Sequence, residues 1–292
     1  MEKQKILFGA FLISAILAGV VFAWWQGWIA KDFVPAAFKI VQTVNNLSQP
    51  AVNQEVLAPP PLRAAKSSQQ SWLTIQGIIN ETNKQRLANG LPALAVNLKL
   101  NQAASLKTQD MFLKQYFEHV SPSGAGVGEL AKTASYQFIV VGENLALGNF
   151  ANDQELVEAW MQSPGHRANI LNKRFTEIGV AAQKGIFEGQ ETWLAVQEFG
   201  LPLSACSQPN SALLDQLNNQ QAQINSLQTK LNSLKAELEQ GRFKNRGDYN
   251  NKVQDFNVLL EQYNQLVQQT KTSTDFYNQQ VNNFNNCVKG TN

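Results

Sequence analysis

The sequence predicts an α+β domain carried between an N-terminal transmembrane helix and a C-terminal antiparallel α-helical hairpin of coiled-coil type. Three observations lead there. An apolar run without a charge occupies residues 6–25. Segment 72–203 shows helical periodicity first and short strand-like apolar runs after it. Segment 206–288 is low in charge, rich in Asn and Gln, and repeats its apolar residues at helical spacing. The expected boundaries are 1–30 for a cytoplasmic stub and anchor and 31–71 for a juxtamembrane segment and Pro-rich linker. The globular domain then takes 72–203 and the hairpin 204–292.

At 1.5 Å per residue the twenty residues from Ile6 to Trp25 span about 30 Å, the thickness of a bilayer's hydrocarbon core. Lys3 and Lys5 precede the run, which favours a cytoplasmic N-terminus, and Trp24, Trp25 and Trp28 follow at the level of a membrane interface. Val21-Phe22-Ala23 also fits a signal-peptide cleavage site, the alternative that would make the protein secreted. Either way the rest of the chain is expected outside the cytoplasm, where Cys206 and Cys287 can pair.

Residues 31–44 read as a short juxtamembrane helix. Residues 45–71 carry Pro50 and Pro59-Pro60-Pro61 before a polar run, the composition of an extended spacer. Ile75, Ile78, Ile79 and Leu87 suit a first amphipathic helix that stops at Asn89-Gly90. Ala103, Ala104, Leu106, Met111 and Phe112 line a second helix between Leu100 and Phe117, and a Gly-rich loop runs from Ser121 to Gly128. Asn152-Asp153 can cap a third helix through Trp160, before Pro164. Ile178–Ala182 and Trp193–Phe199 are of strand type.

In the last third, apolar positions alternate by four and three residues: Leu213, Leu217, Ile224, Leu227, Leu231, Leu234 and Leu238, with Gln220 in the one gap. Tyr249, Val253, Phe256, Leu260, Tyr263, Val267, Thr270, Thr274, Tyr277, Val281, Phe284 and Val288 continue the pattern in a second arm. Gly241 to Gly247 breaks it and supplies a turn. Folding about that turn sets Leu238 beside Phe256 and brings Cys206 opposite Cys287, so a disulfide is expected.

The 24 basic and 22 acidic residues leave a net charge of +2, with no basic stripe to suit a nucleic acid. Segment 72–203 alone holds 10 basic against 12 acidic residues. Two cysteines exclude a four-Cys zinc site, and no Gly-rich phosphate loop follows a strand. Only two histidines occur, His119 and His166, both beside turns.

An ordered set of motifs crosses segment 72–203. Asn83-x-x-Arg86-x-x-x-Gly90-Leu91-x-x-Leu94 opens it, and Phe117-Glu118-His119 and Gly142-Glu143-Asn144-Leu145-Ala146 follow. Ala159-Trp160-Met161-Gln162-Ser163-Pro164-Gly165-His166-Arg167-Ala168-Asn169-Ile170-Leu171 comes next, then Ile178-Gly179-Val180 and a strand with Trp193. Over these residues, under half of the chain, the sequence resembles the CAP superfamily, the SCP domain of cysteine-rich secretory, antigen-five and pathogenesis-related proteins, in its bacterial branch. The resemblance implies an α–β–α sandwich and an extracytoplasmic location. It also implies a cleft that in the family holds two His and two Glu, binding a divalent metal in some members. His119 matches the first His and Glu143 one Glu. Ser163 stands at the other Glu position, and alignment on Gln197 puts Leu194 at the second His position.

His166 is therefore the candidate to complete a reduced site of His119, Glu143 and His166. Glu158 points to another side of its helix from Ser163, while Glu129 could reach the cleft. Two His and a carboxylate can bind zinc or calcium with an open position, act as an acid/base pair, or tie loops together in a buried cluster. Ser121 and Ser163 lie near the two His. The first expected function is a membrane-anchored module binding a small ligand or envelope component. The alternatives are a structural or adhesive protein that presents the hairpin to a protein partner, and a metal-assisted hydrolase using His119, Glu143 and His166.

Overall fold

The computed structural model describes residues 54–290. Residues 6–25, where the sequence places an anchor, lie outside them, and among the described residues no helix is long and apolar enough to cross a membrane. Two compact units divide the chain.

The larger unit comprises residues 54–208 and 283–290 of the described chain. Its strands are β1 (Glu55–Leu57), β2 (Leu62–Arg63), β3 (Ala95–Val96), β4 (Phe138–Leu147), β5 (Glu177–Phe187) and β6 (Gln190–Pro202). Its helices are α1 (Ile75–Ala88), α2 (Leu98–Lys114), α3 (Val127–Thr133), α4 (Asp153–Gln162) and α5 (Pro164–Ile170). The sheet runs β1-β4-β6-β5-β3, with β2 also on β4. β4, β6 and β5 are antiparallel neighbours, and the short strands add in parallel at the two edges.

Period-two alternation sends successive side chains to opposite faces. On one face Val140, Ala146, Ile178, Val180, Ala195 and Phe199 pack with Ile78, Ile79, Leu156, Trp160 and Ile170 of α1, α4 and α5. On the other, Leu145, Leu147, Ala181, Leu194 and Val196 meet Ala104 and Met111 of α2, while Val141 and Phe138 meet Val127 and Ala131 of α3. The layers are helix, sheet, helix.

Local chemistry fixes the helix ends. Thr74 accepts from the Gly77 N–H and caps α1, which closes on Asn89 with Gly90 at φ +72°. Asn152 caps α4 through the Glu155 N–H, as its sequence predicts, and Pro164 opens α5 instead of merely ending α4.

Several expectations need correction. The Pro-rich segment is not a free spacer: Glu55–Leu57 and Leu62–Arg63 pair with β4, because that strand otherwise ends the sheet with bare N–H and C=O groups. β4 itself has no counterpart in the sequence reading, since Gly142-Glu143-Asn144 interrupts the apolar alternation that marks a strand. β5 and β6 are longer than their apolar cores because their polar ends pair as a hairpin from Lys184–Trp193 to Phe187–Gln190.

The smaller unit, residues 209–282, holds α6 (Ser211–Gln240) and most of α7 (Arg246–Lys289). Asn210 caps α6 by accepting from the Ala212 and Leu213 N–H groups, and Gly241 at φ +66° ends it. The helices run antiparallel: Lys252 meets Glu237 at 2.8 Å near the turn, and Asn210 N donates to Gln280 Oε1 at 2.8 Å at the far end. Leu217, Ile224, Leu231 and Leu238 are buried on α6, as are Tyr263, Thr270, Thr274, Tyr277 and Val281 on α7. Gln221 is buried where the sequence offers Gln220.

Within the larger unit, Cys206 and Cys287 form a disulfide across 81 residues of chain, packed with Ile139, Phe284 and Val288. Replacing both with alanine is expected to cost up to about 4 kcal/mol on the chain-entropy account, read from guanidinium unfolding of the oxidised protein and the variant.

Gly179 lets α2 lie directly on β5, since a Cβ there would stand 2.1 Å from the Leu100 carbonyl carbon and 2.2 Å from Asn101 N. The neighbouring Val180 N–H donates to Asn101 Oδ1 at 2.8 Å. Gly179→Ala is expected to destabilise the domain by about 2–3 kcal/mol, read in the same unfolding experiment.

Candidate functional site

The site grows from one register. In the antiparallel ladder Glu143 of β4 stands opposite Glu198 of β6, and both are 0% exposed. Burial and the charge of Glu143 push the Glu198 carboxyl well above the ordinary carboxylate range, against the pull of Lys107. The side-chain contact with Glu143 raises it further, and among the described residues no donor is placed on Glu143 Oε2 or either oxygen of Glu198.

Glu143 Oε1 takes His119 Nδ1 at 2.6 Å, while His119 Nε2 meets the backbone oxygen of Pro59. Both ring nitrogens thus face acceptors. Lys107, fully buried on α2, anchors this corner: its Nζ donates to His119 O at 2.7 Å and to Tyr116 Oη at 3.3 Å. Burial lowers the Lys107 pKa, opposed by the charges of Glu143, Glu198, Asp110 and Glu118.

Tyr116 Oη donates to Asp110 Oδ2 at 2.6 Å, and Lys114 pairs with Asp110 at 2.6 Å. Burial would raise the Asp110 carboxyl. Hydrogen bonds from Lys114, Ser121 and Tyr116, with the Lys114 charge, bring it down to about 2. Burial, and then Asp110, raise the Tyr116 hydroxyl.

His166 comes from the other helical layer. Ser163 precedes Pro164 at the start of α5, and its Oγ lies 2.7 Å from His166 Nδ1. His166 is 1% exposed, and its Nε2 has no partner among the described residues. Burial, and then the neighbouring His119 charge, lower its pKa to about 4, so the ring is neutral near pH 7. Pro59 links the two loops: its oxygen meets His119, and its ring fills the space that a Cβ on Gly165, next to His166, would need.

Other motif residues hold the frame. Arg86 gives all its guanidinium nitrogens to the backbone oxygens of Pro92, Ile170, Asn172 and Phe175. Asn144 donates to His166 O and Gln197 Oε1, and Gln197 donates to Thr82 Oγ1. Asn169 donates to Leu57 O, Glu143 O and Asn144 Oδ1.

The three residues named from the sequence thus divide. His119 and Glu143 touch; His166 sits next to them without bonding Glu143. Glu129 caps its own helix, accepting from the Gly126 N–H, and also lines the cavity that His119 borders. Glu158 is exposed and bonded by Gln154, and Leu194 is core. Ser121 bonds Lys114 and Ser123, not a histidine.

Sequence reasoning missed Glu198 and Lys107. Lys107 continues the 103-107-111 stripe of α2, and Glu198 continues the 194-196-198 face of β6. A charge in phase with an apolar face was the available signal.

As arranged, these groups do not fit a zinc or calcium ion. Both His119 nitrogens are taken, and among the described residues no three His, Cys, Asp or Glu side chains are placed to hold a metal.

Residues 79–199 match the family model for CAP, the cysteine-rich secretory protein family. The chain carries a CAP domain. The uncharacterized protein YkwD of Bacillus subtilis (strain 168) is 39% identical over 116 residues, covering 40% of this chain and 43% of YkwD. The uncharacterized membrane protein YlbC of the same strain is 30% identical over 122 residues, 40% of this chain and 35% of YlbC. The chain therefore spans less than half the length of the curated relatives it matches. A solved extracellular protein containing a SCP domain, from Bacillus anthracis str. Ames, is 30% identical with a TM-score of 0.37, covering 43% of this chain and 39% of that one.

The two perturbed groups give the CAP domain opposite pH slopes. The unfolded His166 takes up its proton near 6.5 and the folded one near 4. Stability is thus expected to fall by roughly 3 kcal/mol as pH drops through that window, and His166→Gln should flatten the fall. Glu198 works the other way: unfolded, it ionises near 4.5, so stability falls as pH rises from there through its raised folded value. Glu198→Gln should remove that decline. Urea unfolding across pH checks both.

Proposed function

We propose that this protein is an extracytoplasmic binding module, held to a membrane by residues 6–25, whose CAP domain takes a small ligand or envelope component in the cleft between His119 and His166. One observation carries the reading. Pro59 meets His119 through its oxygen and lies against Gly165, the residue before His166, and the buried His166 Nε2 has no partner among the described residues. A buried polar atom left unpaired costs about 1–3 kcal/mol, a cost that a ligand bonding to it would remove.

The antiparallel helices α6 and α7 would act as a coiled-coil spacer or as a docking arm for a protein partner. The hydrolase alternative is weaker. Ser163 bonds His166 through Nδ1, but no third group orients the ring as a nucleophile–base pair requires, and the metal-assisted form lacks a third ligand.

Immobilised wild-type protein is expected to retain a component of envelope extract that a His119→Ala, His166→Ala double variant does not. Equal retention by both would overturn the cleft as the binding site. Elemental analysis after adding zinc or calcium should show no stoichiometric metal; one bound equivalent lost with His119 would restore the metal-assisted alternative.

A further inference from the structure

We propose that the cleft between His119 and His166 takes an extended, proline-bearing peptide, and that residues 55–63 are a built-in occupant which such a peptide displaces. This rests on the binding reading above and names its ligand class.

The chain's own segment shows how a peptide sits. Glu55, Val56 and Leu57 pair in parallel with Val140, Val141 and Gly142. Pairing resumes with Leu62 and Arg63 opposite Ala146 and Leu147. Five chain steps from Leu57 to Leu62 oppose four from Gly142 to Ala146, so the strap bows away from β4 beside Glu143. Within the bow the domain binds the strap through its backbone. Asn169 Nδ2 donates to Leu57 O at 3.3 Å, and His119 Nε2 meets Pro59 O. Backbone oxygens are common to every peptide, so these contacts read an extended main chain, in the manner of strand addition to a sheet edge.

Proline suits the bow for a specific reason. A residue bowed off a ladder strands its N–H, and Pro59, Pro60 and Pro61 have none. Gly165 gives the room, since any side chain there would meet Pro59 Cβ at 2.6 Å.

The strap lies at the surface of the domain. None of residues 54–70 is buried, and Val56 is 47% exposed, although Leu57 and Leu62 rest half-buried against the core. Its charged anchors lie on the surface: Glu55 to Arg174 at 2.5 Å, and Arg63 to Glu188 at 3.7 Å and over the Phe117 and Phe187 rings. Beside its first strand is a cavity of about 330 Å³, walled by Val56 and Ala58 on the strap side and by His119, Val127, Glu129, Lys132 and Phe138 on the other. A displacing peptide has space there for a side chain larger than those of the strap.

The test uses the full chain carrying Pro59→Gly, Pro60→Gly and Pro61→Gly, which loosens the strap and leaves the cleft intact. The probe is a fluorescein-labelled peptide with the sequence of residues 54–64, read by polarisation, with hydrogen exchange at the β4 amides reporting strap release. Should exchange show the strap still seated, a variant with a protease site replacing residues 66–69, cut after folding, is read instead.

The released protein is expected to bind the peptide at least roughly tenfold more tightly than wild type, whose tethered strap competes at high effective concentration. His119→Ala in the released background, or alanines for the peptide's prolines, should weaken binding by a similar factor. Strap release without peptide binding, or binding indifferent to both changes, overturns the proposal. Envelope extract on the same released protein separates the two readings. A retained component without peptide binding overturns the peptide assignment alone, and retention of neither overturns the binding reading as well.

Discussion

Two carboxylates face each other across adjacent strands of an antiparallel sheet, both sealed from water, and the site is built around that juxtaposition. Glu143 and Glu198 cannot both ionise at such range in a dry interior. One proton must stay, and burial leaves it on Glu198. The remaining negative charge on Glu143 then requires positive partners. Lys107 supplies one from α2 without touching either carboxyl, and His119 Nδ1 meets Glu143 directly. Lys107 in turn donates to His119 O, so the same ammonium that offsets the charge also pins the loop that presents the imidazole. Had α2 carried leucine at that stripe position, the pair would lose a counter-charge and the loop its anchor together.

The opposite face of the sheet does a different job with equally buried polar groups. Asn144 and Gln197 lie one residue away in sequence from Glu143 and Glu198, and so point to the other layer. There they meet Thr82, Asn169 and the His166 carbonyl in a chain where each amide finds partners. Arg86 closes the same layer by collecting the oxygens that end α5 and the turn after it. Such satisfied networks fix one arrangement of helices over the sheet. Their product is the position of α5, hence of Ser163 and His166. Residues that look functional as motifs are in this layer scaffolding; the chemistry is one residue out of phase.

That phase explains what was legible in the sequence. Where apolar residues alone specify structure, spacing was enough: the α1 stop at Asn89-Gly90, the α4 cap at Asn152, and the buried positions of α6 and α7 follow from periodicity and capping. β4 was hidden because Glu143 of the candidate site and scaffolding Asn144 both replace apolar residues at its centre. Glu198 and Lys107 were hidden for the converse reason, since a charge within an apolar pattern reads as noise until a second charge is found opposite it. Their pairing depends on the β4–β6 register and on α2 crossing that face, neither of which is written locally. Residues 55–63 read as a spacer because proline argues against a strand, and only the bow in the ladder reconciles the two.

The bow also decides what could compete for the cleft. All ten residues of β4 are buried although the strap beside them is exposed or half-buried; the strap's backbone pairs with the ladder while Leu57 and Leu62 pack against the core. Part of its hold is generic, in ladder bonds and two contacts to carbonyl oxygens, and part comes from its own side chains: Leu57 and Leu62 against the core, Arg63 over Phe117 and Phe187, and the Glu55–Arg174 ion pair. Generic contacts give a tethered segment no advantage in kind over a free one, only in local concentration. A free peptide prevails by making contacts the strap does not, and the space for them is the cavity under Val56 and Ala58, against Val127 and Phe138. Selectivity would then arise from the side chain entering that cavity, while the prolines and the histidine set where along the peptide the backbone is gripped.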